Sequence, residues 1–251
     1  MDLSKISPNM DIECDPFFGD YSKYYVFDLL RNVDKTFSKA LGVNPFSSGK
    51  CIITYNHRDE TPYITKGFGF DNIHLNVAGD YWSQWVFQFA HEYCHHIIGG
   101  KMSGEMVGML WLEECFCEAS SLYHLYSSYI YWKKAKDKIK SHYSPAFLEY
   151  LRHVLKPYKA QADAVKKEGV RKEWIDSYSS RYVSRTRDIT NPVSICIYSI
   201  LKENPNLWKV LLHFGDTRSC DNPKDFFDNL YGSVQLSYRY SLDKLYRLIF
   251  P

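Results

Sequence analysis

The feature that most constrains what this chain can fold into is a pentapeptide, His-Glu-Tyr-Cys-His at residues 91–95, set inside a segment of helical period. Trp82, Val86, Phe89, Tyr93 and Ile97 recur at spacings of three and four, so an apolar stripe runs along the segment until Gly99-Gly100 stops it. Residues four apart in a helix are rotated by ~400°, which places His91 and His95 on one face about one turn apart. Two imidazoles so placed can ligate one metal ion, and Glu92 lies beside that face, positioned to take a proton from the water such an ion activates. The helix must therefore bury one side against other elements while leaving two histidines accessible on another.

The flanking sequence supplies elements for that burial. A helix is expected over about 22–41, where Tyr25, Val26, Leu29, Leu30, Val33, Phe37 and Leu41 fall on one stripe before Gly42. The period then changes. Segments 51–56, 62–68 and 72–77 are short, rich in β-branched residues and bounded by Asn, Asp, Gly and Pro, which argues for a small sheet. After the histidine helix another helix is expected over about 108–135, and helices fill most of the remainder, including NPVSICIYSILKEN with Pro192 in a first turn. The reading is an α+β fold: a lobe over 1–105 with a small mixed sheet and the histidine helix, then a helical lobe over 106–251.

Composition excludes several classes of function. The chain has 251 residues, 45% of them hydrophobic, enough for a substantial core. Thirty-one Lys and Arg against 29 Asp and Glu give a formal charge of +2, so a nucleic-acid partner is not expected, and the lysine runs at 133–140 and 166–172 read as solvated helix faces. The amino terminus lacks the apolar centre of a secretory signal and no later run is apolar enough to span a bilayer, so a soluble, cytoplasmic protein without a membrane partner is expected. The seven cysteines, at 14, 51, 94, 115, 117, 196 and 220, form no CxxC pair and read as reduced, mostly buried thiols. Aromatic residues make up 17% of the chain, including 21 Tyr, which suits either a peptide-binding groove or an aromatic core.

Catalytic zinc needs a third protein ligand and an open position. Past the glycine break the chain enters Trp-Leu-Glu-Glu-Cys-Phe-Cys-Glu-Ala-Ser, residues 111–120, and the eighteen residues 96–113 separate His95 from Glu114. The pattern HExxH-x18-E in a WLxE context resembles the gluzincin clan of zinc metallopeptidases, in particular the zinc aminopeptidase family, around the metal site. That resemblance implies a zincin-like fold, a bound Zn2+ held by His91, His95 and Glu114, and Glu92 as general base. It also implies that Glu118, one turn beyond Glu114, orients His91 from behind, as second carboxylates commonly do for metal-bound histidines. The alternative for Glu113, Glu114 and Glu118 is a solvated acidic face. Segment 72–77 is expected, by the same likeness, to be an edge strand that pairs with an extended substrate. The oxyanion donor of such enzymes lies some sixty residues past the third ligand, which makes Tyr178 and Tyr182 candidates, with Arg181, Arg185 and the more distant His213 as alternatives. The aminopeptidases' GxMEN segment has no counterpart, since residues 67–72 carry neither its Met nor its Glu, so specificity for a free amino terminus is not implied.

Other tempting residues have plainer readings. His96 is rotated by ~100° from the metal face and suits a helix-surface or core role. Cys94, Cys115 and Cys117 read as core thiols. His74 either touches substrate or faces solvent. The function expected is hydrolysis of peptide bonds, with a peptide or protein as substrate; the alternative is a catalytically silent zincin-fold module that binds protein partners or regulates them.

Overall fold

A computed structural model of the protein describes residues 10–12, 16–42, 50–57, 61–67, 69–99, 110–170, 187–217 and 223–250. Strands β1 (Met10–Ile12), β2 (Lys50–Tyr55), β3 (Tyr63–Lys66) and β4 (Phe70–Leu75) form one sheet in the order β1-β2-β4-β3. β1 and β4 both run parallel to β2, while β3 runs antiparallel to β4, so the sheet is mixed. The helices are α1 (Lys23–Leu41), α2 (Trp82–Gly99), α3 (Leu110–Lys133), α4 (Lys138–Leu155), α5 (Lys159–Glu168), α6 (Arg187–Glu203), α7 (Leu207–Val210), α8 (Pro223–Ser233) and α9 (Leu236–Ile249). With one small sheet and many helices, the chain belongs broadly to the α+β class. Among the described residues no helix is long and apolar enough to cross a membrane.

Contacts divide the chain into two compact units, one of Met1–Ile97 with His124–Arg152, the other of Ile98–Tyr123 with His153–Pro251. Each unit thus draws on two stretches of chain, where the sequence reading placed a single boundary after residue 105. In the first unit α1 buries Val26, Leu29, Leu30, Val33, Phe37 and Leu41 of the stripe expected from its period, while Tyr25 is half-buried. Gly42 stops α1 in the left-handed region at φ 71°, where a side chain is disfavoured, and its N–H bonds to Ser38 O. The sheet contributes Cys51, Ile53, Ile73 and Leu75, and α2 contributes Trp85, Val86, Phe89 and Ala90. A polar pin completes this unit: Asp28 accepts from Tyr131 Oη at 2.8 Å, Trp132 Nε1 at 2.9 Å and Lys140 Nζ at 2.8 Å.

The second unit is helical. Its core includes a run of rings, Phe116 against Phe214 and Phe214 against Phe226, each in edge-to-face geometry. Two buried thiols donate to helix carbonyls there, Cys115 to Thr190 O and Cys196 to Ala162 O. Burial raises the Cys115 thiol well above its ordinary value and pushes that of Cys196 up to about 11, so both remain protonated near neutral pH. With Cys51, Cys94 and Cys117 these are five free, buried cysteines, as expected; Cys14 and Cys220 lie outside the described residues.

Two local expectations need correction. The segment read as an edge strand is β4, and β4 is interior: β2 bonds to one side of it and β3 to the other. Its backbone groups are committed on both sides, and β3 takes the outer place although it precedes β4 in the chain. Pro192 does not open its helix either, because α6 begins at Arg187. The proline therefore sits in the second turn, where it forgoes the bond to the Asp188 carbonyl.

Candidate metal centre

The burial of α2 explains how a helix this apolar presents histidines. From Trp82 to Ile98 every residue is buried except Gln84, Phe87, Gln88, His91 and His95. Those five recur at spacings of three and four, so they form one half-buried stripe on a helix otherwise enclosed by protein. The histidines occupy its carboxy-terminal end, with ring centroids 5.1 Å apart.

α3 has a similar economy. Over residues 111–122 only Glu114 and Glu118 are less than buried, four residues apart on one face. Glu113, one position before Glu114, is 8% exposed and points into protein. The three acids are thus not a solvated acidic face, because one of them is enclosed.

These stripes bring three side chains together. His91, His95 and Glu114, all half-buried, offer ligand atoms that lie within 4.8 Å of one another. Tetrahedral zinc with bonds of about 2.0–2.1 Å requires donors roughly 3.3 Å apart. Two imidazoles plus one carboxylate are a donor set that binds a metal ion with one position left open. The residues present therefore fit a metal ion.

Glu92 is buried at 4% exposure on α2, between the two histidines in sequence. Glu118 follows Glu114 by one turn, and its charge helps to raise the neighbouring Cys115 thiol. His213 lies half-buried in the 3-10 segment Leu211–Thr217 and is not one of the three converging groups. Tyr178, Tyr182, Arg181 and Arg185 fall outside the described residues.

His74 neither faces solvent freely nor offers an open nitrogen. Its Nδ1 pairs with Thr54 Oγ1 on β2 at 2.8 Å and its Nε2 with Thr65 Oγ1 on β3 at 2.9 Å, while Tyr63 stacks on the ring at 4.3 Å. The ring is a bracket across three strands. His96 is enclosed completely, a core residue, and its Nδ1 meets Asp71 Oδ2 at 2.6 Å. Asp71 escaped notice in the sequence, yet a signal exists. It shares the inward face of β4 with Ile73 and Leu75, and an acid at such a position requires a partner.

No known protein family matches this chain, nor does any curated protein or solved structure.

Proposed function

We propose that the chain is a zinc-dependent peptidase of the gluzincin type on a zincin-like fold. The observation that carries this reading is the convergence of His91, His95 and Glu114. A carboxylate that follows the HExxH pair after eighteen intervening residues and meets both imidazoles supplies the third protein ligand that such a zinc site requires. A zinc ion held there would polarise a substrate carbonyl and lower the pKa of water to about 7.

The chain's own residues do the remaining work. Glu92 accepts the proton of the attacking water and returns it to the leaving amine as the C–N bond breaks, which conserves protons over the cycle. Glu118 orients His91 and thereby fixes which ring nitrogen is free to bind. Tyr178 and Tyr182 are the candidates for donating to the oxyanion. The substrate is a peptide or protein.

The test combines metal analysis of purified protein with a peptide-library digest, with and without chelator. One zinc per chain and cleavage that stops on chelation are expected. Zinc without cleavage would favour the silent binding module, and cleavage indifferent to chelator would overturn the metal-dependent mechanism.

A further inference from the structure

The buried side of α2 carries two polar groups one turn apart, Tyr93 and His96, whose rings stack at 5.7 Å. Tyr93 Oη donates to Asp34 Oδ1 of α1 at 2.8 Å. His96 donates from Nδ1 to Asp71 Oδ2 of β4, the tautomer following from the fact that a carboxylate only accepts. The same Oδ2 also accepts from Lys66 Nζ at 2.7 Å, and Lys66 stands directly opposite Asp71 in the β3–β4 pairing.

We infer that Asp71 is a positioning residue for the candidate metal centre: through His96 it fixes the rotation of the last turn of α2, and so the aim of His95 and His91. Apolar packing alone leaves a helix some freedom to slide and turn, because hydrophobic contacts are not directional. The Tyr93 bond holds the helix at one point, about which it can still pivot. A second, directional bond three residues later removes that freedom, in surroundings too dry for water to replace it. His96 follows His95 directly along the backbone, so a few degrees of rotation at one are shared by the other. Lys66, 47% exposed on the outer strand, holds the same carboxylate oxygen of Asp71 in place.

The inference rests on the metal-centre reading, and the experiment separates the two. The variant Asp71→Leu with His96→Phe replaces both partners by apolar groups of similar size, an exchange that leaves stability nearly unchanged when it is well packed. Zinc affinity is measured by competition with a chromophoric chelator, alongside the visible spectrum of the Co2+ form and the thermal melt. The expected result is a melt near that of the unaltered protein, a zinc affinity lower by about ten- to a hundredfold, and a changed cobalt spectrum. A purely structural role would move the melt and leave affinity and spectrum alone. Should the double variant fail to fold, Asp71→Asn decides: it keeps one acceptor for His96 but loses the charge shared with Lys66, and its affinity is expected to fall roughly three- to tenfold. A folded variant with unaltered affinity and spectrum overturns the inference alone. If the unaltered protein takes up neither Zn2+ nor Co2+, the metal centre falls, and this inference with it.

Discussion

Glu113 and Glu114 are neighbours in the chain with opposite surroundings, and that contrast makes the sharpest single-residue test. Glu114→Ala leaves two histidines, too few for a stable catalytic zinc, so the variant should purify with little metal and no activity. Glu113 is rotated by ~100° from its neighbour and cannot substitute. Because it is buried, the matched control is Glu113→Gln, which keeps its volume and should keep zinc at one per chain by atomic absorption. Metal lost from the control and kept in Glu114→Ala would place the register off by one. Glu92→Gln tests the chemistry separately: it removes a base but no ligand, so zinc should stay bound while turnover falls below detection. The convergence of His91, His95 and Glu114 was legible because chemistry ties such residue types to fixed spacings. Asp71 was not, since its role depends on which strand lies under α2, a long-range fact that no local period encodes.

At the level of elements, the sequence shows what each segment is better than where it goes. Helix α1 and the four-residue rhythm of α2 follow from side-chain period. β1, the tripeptide Met-Asp-Ile, carries no β-branched run, whereas β2, β3 and β4 follow from such runs between turn residues. Strand order does not, because β2 pairs with β4 across the intervening β3, and an inward-facing pattern is the same for an interior strand as for a half-covered edge. The link between α1 and α2 was equally hidden, and it carries a pH dependence. Burial raises the Asp34 carboxyl above its ordinary 3.8, while the Tyr93 hydroxyl and Lys35 hold it down in part. The folded chain therefore holds this proton more tightly than the unfolded chain. Asp34's contribution to stability is complete below 3.8 and is lost as pH rises from there through its folded pKa. Urea melts from about pH 3 to about pH 6 should show the protein losing stability relative to Asp34→Asn as pH rises. Tyr93→Phe should cost about 1–3 kcal/mol and extend that loss to higher pH, because it removes the bond that stabilises the charged form. A difference between protein and Asp34→Asn that is flat with pH would show that Asp34 titrates alike in both states.

For the whole molecule, the mixture of a small sheet and many helices was readable from the order of periods along the chain, but the compact units were not. α3 is buried on nearly every side of its first three turns, so no single apolar stripe announces which neighbours cover it, and the chain's division cannot be read from its hydrophobic pattern. A ligand that binds the folded chain alone nevertheless reports on the whole fold. At a free zinc concentration a hundred times the dissociation constant, the folded state gains about 2.7 kcal/mol. For a chain of this size each kcal/mol moves the midpoint by about 2–4 °C, so saturating zinc should raise the melting temperature by roughly 5–11 °C, and chelator should return it to the metal-free value. The shift should rise with the logarithm of zinc concentration once the site is full, which distinguishes specific binding from a general salt effect that Mg2+ would reproduce. Glu92→Gln should retain the shift and Glu114→Ala should abolish it, since only the second removes a ligand. If Glu114→Ala melts with the same zinc dependence as the unaltered protein, the stabilising ion is bound elsewhere, and the convergence of His91, His95 and Glu114 is not what holds it.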